Sequence, residues 1–228
     1  QRAMFGHVIA MDYNVMIVGA PSDGEKDKGS VYIYRRNETT WTKEAKLTHD
    51  DDSDTADFGY SVSVKGTSIV VGDPGRLLRP SERGKKGAVF VYRFDSLNRS
   101  WNSVGATQMD YACDGWSYFV RLLDDEDVLV VCGEPFSGSS TVFHHEKPEA
   151  GDEYVLKQGI RFENPVTSLA VDRDTMVVVE FRVGRSFVIH FFVQRKHVWE
   201  EVAAIDESIF GTRFGEAVAL SGNIILVA

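Results

Sequence analysis

The chain has 228 residues, with 25 Lys and Arg against 34 Asp and Glu, which gives a net charge of −9. Its hydrophobic content of 43% excludes a disordered, collagen-like or coiled-coil chain. The net acidity argues against a nucleic-acid partner, because phosphate binding needs a surplus of Lys and Arg on one face. The apolar runs are far shorter than the roughly 20 residues that a membrane-spanning helix needs, so no transmembrane segment is predicted.

A repeated unit opens the chain and returns immediately after it. In both copies a Phe-Gly pair is followed by an alternating segment, a β-branched run that ends in Gly-x-Pro, a Val/Tyr/Phe-rich segment and a segment that carries Trp. The shared residues are Phe5, Gly6, Gly19 and Pro21 in the first copy and Phe58, Gly59, Gly72 and Pro74 in the second.

Each unit reads as four short strands. Tyr60, Val62 and Val64 alternate with Ser61 and Ser63, which is the period of a strand in a sheet with unlike faces. The β-branched run that follows suits a strand buried on both faces. No segment keeps a helical apolar stripe over ten or more positions.

The unit recurs along the chain with decreasing fidelity. We predict repeats over residues 5–57, 58–115, 116–164 and 165–213, and a partial fifth copy over 214–228 that begins at Phe214-Gly215. Trp116-Ser117 and Pro165-Val166 stand where the third and fourth copies would have Phe-Gly. Repeated four-stranded units of about 40–50 residues indicate an all-β fold, a β-propeller. A β-sandwich is the alternative, but it leaves the recurring motif unexplained.

These motifs resemble FG-GAP repeats, which are found in the β-propeller heads of integrin α chains and in many extracellular repeat proteins. Val18-Gly19-Ala20-Pro21 and the Gly-x-Val-Tyr-x-Tyr segment that begins at Gly29 carry the resemblance, together with the Phe-Gly pairs. It covers nearly the whole chain and is weakest in the fourth copy. The resemblance implies a propeller with an interaction role. Such rings close with 4–8 complete blades, and the fifth copy here lacks its last two strands. We therefore expect the chain to be a segment of a longer propeller.

The motif residues themselves are expected to be structural. Phe is expected to pack between adjacent blades, and Gly to let two backbones pass closely. Pro ends the second strand, because it cannot donate to a ladder.

Calcium binding is a candidate function, because many integrin-type blades carry an Asp-rich loop between their first two strands. Here those turns are too short to supply the several oxygen ligands that calcium needs. Asp50, Asp52 and Asp54 are the candidate ligands, in a joint between blades where Thr55 replaces the Gly of an EF-type loop. We therefore predict that the protein has no cofactor and that this acidic segment is a solvated loop. Calcium binding at Asp50, Asp52 and Asp54 is the alternative.

No catalytic motif is found in the sequence, and no catalytic residue is assigned. The six histidines form no H-x-x-x-H or H-E-x-x-H pattern. A hydrolase or lyase is the less favoured alternative, with Asp73 and Glu134 at the ends of second strands as the residues to test.

The leading prediction is a protein-interaction or adhesion module. A cationic loop in the second copy holds its candidate partner-binding residues, which are Arg76, Arg79, Arg83, Lys85 and Lys86. Arginine is favoured at interfaces, and this loop would suit an acidic protein partner; the alternative is a solvated loop. The rival class is a docking subunit of a large assembly, which the degraded third and fourth copies favour.

Two Asn-x-Ser/Thr sequences, at Asn37 and Asn98, precede the Trp-bearing strands of the first two copies. They are predicted glycosylation sites and favour an extracellular, cell-surface or lumenal location. Cys113 and Cys132 either pair or remain two buried thiols.

Overall fold

The structure, a computed structural model, describes residues 3–24, 28–48, 57–74, 86–112, 114–123, 127–133, 138–147, 154–182, 186–206 and 217–227. For residues 86, 107–112 and 114–117 it describes the backbone alone. All regular secondary structure in these ranges is β-strand.

The strands form four antiparallel sheets of four strands each, in which sequential strands are neighbours. We call each sheet a blade. Blade one contains β1 (Val8–Asp12), β2 (Val15–Ala20), β3 (Ser30–Asn37) and β4 (Thr40–Leu47). Blade two contains β5 (Ser61–Lys65), β6 (Ser68–Asp73), β7 (Lys86–Asp95) and β8 (Ser100–Ala112). Blade three contains β9 (Asp114–Leu122), β10 (Val128–Gly133), β11 (Ser140–Glu146) and β12 (Val155–Phe162). Blade four contains β13 (Val166–Asp172), β14 (Thr175–Arg182), β15 (Ser186–Arg195) and β16 (Val198–Asp206). A further hairpin joins β17 (Val218–Ser221) to β18 (Ile224–Val227).

Consecutive blades stack through their first strands. β5 packs against β1 and β2, β9 against β5 and β6, β13 against β9, and β17 against β13 and β14. The apolar cores lie between blades, so that Ile17 and Val31 of blade one share a cluster with Val62, Val71 and Phe90 of blade two. The predicted all-β propeller of four-stranded blades is confirmed, and the sandwich alternative is wrong.

The second strand of each blade is the most buried, as its β-branched composition predicts. Tight turns of two residues join it to the first strand in blades one, two and four. Tyr13, Gly66 and Arg173 each open such a turn with a φ of 49°, 57° and 54°, the left-handed conformation that hairpin turns of this length require. Pro21 and Pro74 follow directly after β2 and β6.

The Phe-Gly pair of blade two fills a groove that two glycines of blade one leave open. Phe58 is fully buried, and its ring packs edge-on to Phe90 at a centroid distance of 5.5 Å. A Cβ on Gly19 would lie 2.1 Å from the carbonyl oxygen of Gly59, and one on Gly29 would lie 2.2 Å from that of Phe58. Gly59 itself has a φ of +92°. The backbones of neighbouring blades therefore touch here, and only glycine permits the approach.

Blade three achieves the same contact with a side chain. The ring of Tyr118 would lie 2.5 Å from a Cβ on Gly72 and 3.1 Å from one on Gly87. Tyr118 is 1% exposed, and its hydroxyl donates to the Ala88 carbonyl at 2.8 Å. An aromatic ring thus occupies the groove that backbone fills between blades one and two. Trp116-Ser117, which the sequence places at the Phe-Gly position, lies inside the longer strand β9.

The serine face of the first strand is an interface and not a solvent face. Ser61 Oγ accepts the backbone N–H of Val120 at 3.0 Å, and Ser63 Oγ accepts that of Leu122 at 3.1 Å. Ser168 makes the same contact with the N–H of Val218 at 3.0 Å. The polar half of the alternation therefore links β5 to β9 and β13 to β17.

The outward face of β1 is apolar and exposed. Ile9 and Met11 are 59% and 63% exposed, whereas Val62 and Val64, which hold the matching positions of β5, are buried against blade one. Whether the chain is a segment of a longer propeller stays a prediction.

The close approach at Gly59 gives the first prediction. In Gly59→Ala the new Cβ would meet the Ser30 carbonyl oxygen at 2.6 Å, so we expect a loss of about 3 kcal/mol in the free energy of unfolding. Gly24→Ala is the matched control, because its φ is +91° but nothing lies within 4 Å of the added Cβ. It should lose only about 1 kcal/mol. Urea denaturation measures both, and equal losses would show that backbone strain, not contact, makes Gly59 necessary.

Tyr118 gives the second prediction. Tyr118→Ala removes a buried ring between two blades and should cost about 3–5 kcal/mol. Tyr118→Phe keeps the ring and leaves the Ala88 carbonyl without its donor, so it should cost about 1 kcal/mol. Chemical denaturation separates the two, and a Tyr118→Phe loss as large as that of alanine would contradict the groove-filling role.

Candidate functional site

Two buried carboxylates stand at the ends of second strands, where the sequence suggested residues to test for catalysis. Asp73 Oδ1 accepts the backbone N–H of Asp57 at 2.9 Å, and Glu180 Oε1 accepts that of Asn164 at 3.1 Å. In both cases donor and acceptor are 16 residues apart, and the donor immediately precedes the Phe-Gly position of its blade. The carboxylate therefore holds the start of the first strand against the end of the second.

Glu180 is also the centre of a polar network in blade four. Besides the Asn164 backbone, it accepts the Asn164 side-chain amide at 3.0 Å and contacts Arg182 Nε and His190 Nε2, each at 3.3 Å. The other ring nitrogen of His190 lies 2.8 Å from Glu201 Oε1. Burial acts to raise the pKa of Glu180, but the hydrogen bonds from Asn164 and His190 outweigh it, so the pKa is lowered. The carboxylate is thus held in its ionised form.

A second group of charged side chains forms where the start of β10, the end of β11 and the turn between β15 and β16 approach one another, a contact that the sequence did not reveal. Ligand atoms of Asp127, Glu146 and His197 lie within 4.8 Å of one another, and His197 belongs to the neighbouring blade. His144, which is 1% exposed, places Nε2 3.0 Å from Asp127 Oδ2, and Lys157 Nζ pairs with Glu146. This donor set suits a divalent cation in type. The Lys157 ammonium, however, already supplies positive charge to Glu146.

The hairpin turns, where integrin-type blades bind calcium, use their carboxylates differently here. Asp12 Oδ2 accepts the backbone N–H of Gly66 at 2.7 Å, and Asp172 Oδ2 accepts that of Gly222 at 2.6 Å. Each bond joins the turn of one blade to the turn of the next. Asp50, Asp52 and Asp54 lie outside the described residues, so calcium binding there stays a prediction.

Aromatic and cationic side chains share the face of blade one that is turned away from blade two. Lys43 Nζ and Lys46 Nζ lie 4.8 Å and 5.2 Å from the centroid of the Tyr32 ring, and the Arg36 guanidinium lies 5.6 Å from that of Trp41. We call Tyr32, Arg36, Trp41, Lys43 and Lys46 the blade-one patch.

Asp23, which follows β2, anchors the patch. The Tyr32 hydroxyl donates to its Oδ2 at 2.7 Å, and Lys46 Nζ lies 2.9 Å from the same atom. Lys46, followed by Tyr32, lowers the pKa of Asp23 to about 2. Tyr32 and Lys46 are therefore held in place by a carboxylate that stays ionised at neutral pH.

The other predicted residues fall in two groups. Asn37 and Asn98 are exposed on hairpins between third and fourth strands. Phe5, at the first Phe-Gly position, is 55% exposed and packs edge-on to Tyr32 at 5.1 Å. The residues outside the described part of the chain are Arg76, Arg79, Arg83, Lys85, Cys113, Glu134, Phe214 and Gly215, and Lys86 is described by its backbone alone.

Cys132 lies in the core between blades two and three and is disulfide-bonded. The alternative of two free thiols is therefore wrong for this residue. Cys113 is the only other cysteine of the sequence.

No helix among the described residues is long and apolar enough to cross a membrane.

The stacked four-stranded blades define a β-propeller, and its Phe-Gly and Gly-x-Pro contacts define the kind of repeat. The family model of the FG-GAP repeat matches residues 1–34 and 41–92, and this part of the chain consists of FG-GAP repeats. An integrin α-like propeller is consistent with that match, and such repeats are typical of extracellular and lumenal proteins. No curated protein matches the chain.

The Glu180 network predicts an acid-dependent stability. A carboxylate whose folded pKa is lowered stabilises the fold above its unfolded pKa, and this contribution is lost as the pH falls through the folded pKa. Glu180→Gln should therefore lower the free energy of unfolding at pH 7. It should also make that free energy fall less steeply below about pH 4.5 than it does in the wild type. Glu163→Gln, which removes an exposed carboxylate nearby, is the control. Thermal melts from pH 7 to pH 3 provide the measurement. Melting temperatures that fall equally with pH for wild type and Glu180→Gln would contradict the role of the network.

Proposed function

We propose that this propeller is a non-catalytic protein-interaction or adhesion module of the extracellular space, the cell surface or an organelle lumen. The observation that carries the proposal is the blade-one patch. Interfaces are enriched in aromatic residues and arginine, and their strongest contributions come from such side chains held in fixed positions. A cationic, aromatic surface on a chain of net charge −9 suits an acidic protein partner.

The order of the patch supports this function. Asp23 fixes Tyr32 and Lys46, and the guanidinium of Arg36 donates to the Tyr13 carbonyl at 3.4 Å. Side chains that are already positioned lose less conformational entropy when a partner binds. The cationic loop of blade two, at residues 76–86, remains a second predicted binding element.

The absence of a catalytic role is part of the proposal. Asp73 and Glu180 accept backbone amides, which gives each a structural use. A screen of hydrolase and lyase substrates tests this, and an activity that disappears in Asp73→Asn or Glu134→Gln would overturn it.

The alternative proposal is a docking subunit of a large assembly, which the missing Phe-Gly pairs of the third and fourth copies favour. In the third copy Tyr118 fills the groove between blades two and three. A search for co-purifying partners distinguishes a docking subunit from an adhesion module.

An extracellular or lumenal location agrees with the chemistry of Cys132. Disulfides persist in oxidising compartments and are rare in the cytosol. The bond and the FG-GAP repeats point to the same kind of location.

Partner capture from cell-surface and secreted fractions tests the interaction role. We expect the triple change Arg36→Ser, Trp41→Ala and Lys43→Ser to weaken capture at least tenfold, because hot-spot side chains each contribute 1 kcal/mol or more. Replacing Arg76, Arg79, Arg83, Lys85 and Lys86 by Ser should weaken it as well. Arg195→Ser with Lys196→Ser on blade four is the control and should bind as wild type.

The pattern of losses decides between the elements. A loss confined to the five-residue loop variant would overturn the blade-one patch and leave the loop as the binding element. Unchanged capture by both variants, with melting temperatures equal to wild type, would overturn the interaction role of this surface.

A further inference from the structure

Both Asn-x-Ser/Thr sequences lie on the same kind of turn, the hairpin between the third and fourth strands of a blade. Asn37 is the last residue of β3 and is paired with Thr40, and Asn98 lies in the turn between β7 and β8. Both asparagines are exposed. The middle residues, Glu38 and Arg99, have φ values of 53° and 52°, so each sequence bends through a left-handed residue at the tip.

The antiparallel order of each blade fixes where these tips are. Successive strands run in opposite directions, so the connections between strands one and two and between strands three and four share one end of the blade. We call this the hairpin end. The opposite end, where strand two ends and strand three begins, we call the loop end.

We propose that Asn37 and Asn98 carry N-linked glycans, which project from the hairpin end of blades one and two and leave the loop end uncovered. The donor is a lipid-pyrophosphate-linked oligosaccharide. Asn Nδ2 attacks the first sugar carbon and gives up one proton, while the bond from that carbon to the pyrophosphate oxygen breaks and lipid pyrophosphate leaves. The sites rest on the extracellular or lumenal location, for which the disulfide at Cys132 is a separate observation.

The surroundings of Asn98 are compatible with the modification. Its Nδ2 donates to Asp95 Oδ2 at 2.6 Å, and its backbone N–H donates to Asp95 Oδ1 at 3.2 Å. An asparagine amide nitrogen has two hydrogens, and one remains after a sugar is attached. The bond to Asp95 therefore survives glycosylation and holds the first sugar in a fixed direction at the tip.

The other four asparagines of the chain are Asn14, Asn102, Asn164 and Asn223, and none is followed by the x-Ser/Thr pattern. Asn164 shows the contrast in environment, since its side-chain amide donates to the buried Glu180. The two asparagines with the acceptor pattern are thus both at exposed tips of equivalent hairpins.

Production of the chain behind a cleavable secretory leader in eukaryotic cells tests the proposal. Treatment with an N-glycosidase should lower the mass of the secreted wild-type protein in two steps, one for each glycan. Thr39→Ala and Ser100→Ala should each lose one step while they keep their asparagine. Thr39→Ser and Ser100→Thr keep the acceptor pattern and should retain both steps, and Asn102→Gln on the exposed part of β8 should also behave as wild type.

The placement at the hairpin end has its own readout. Because both tips are exposed in the folded protein, the glycosidase should remove both glycans without denaturation. Wild-type protein that is secreted without a glycosidase-sensitive step would overturn the sites, and glycans released only after unfolding would overturn their placement. Either result is independent of partner capture, so failure of the interaction role and failure of the glycan sites are distinguishable.

Discussion

Close contact between the start of one blade and the glycines of the blade before it sets the spacing of the first three blades. Gly19 and Gly29 leave room for the backbone of Phe58 and Gly59, and Gly72 and Gly87 leave room for the Tyr118 ring. The apolar cores form between blades and not within them, so each core depends on that spacing. Packed interiors tolerate little change in volume, and for this reason both grooves are filled, one by backbone and the other by an aromatic ring.

The buried polar groups serve the same stacking. Serine hydroxyls of the inner strands accept backbone N–H groups of the next blade, and the turn aspartates Asp12 and Asp172 do so at the hairpin end. Asp73 and Glu180 close the start of their own blades. A buried donor without an acceptor costs free energy, so these oxygens satisfy amides that strand pairing alone leaves open.

The proposed interaction surface lies on the face of blade one that is turned away from blade two, where aromatic rings lie under cationic side chains. Exposed acceptor asparagines stand at the hairpin end of blades one and two. Arg36 and Trp41 of the patch flank the hairpin that begins at Asn37, so a glycan there would lie beside this end of the patch, whereas Tyr32 and Lys46 lie near the other end of their strands.

The strands, their number in each blade, the repeat and the two-residue turns can all be predicted from the sequence alone. These features depend on local periodicity and on single residues such as Pro74 and Gly66, which act on their own backbone. It did not show that the serine face is buried, that Tyr118 replaces a Phe-Gly pair, or that Asp127 and His197 approach each other. These contacts become visible only in the folded protein, because they join residues of different blades, whose distance is set by how sheets stack and not by their separation along the chain.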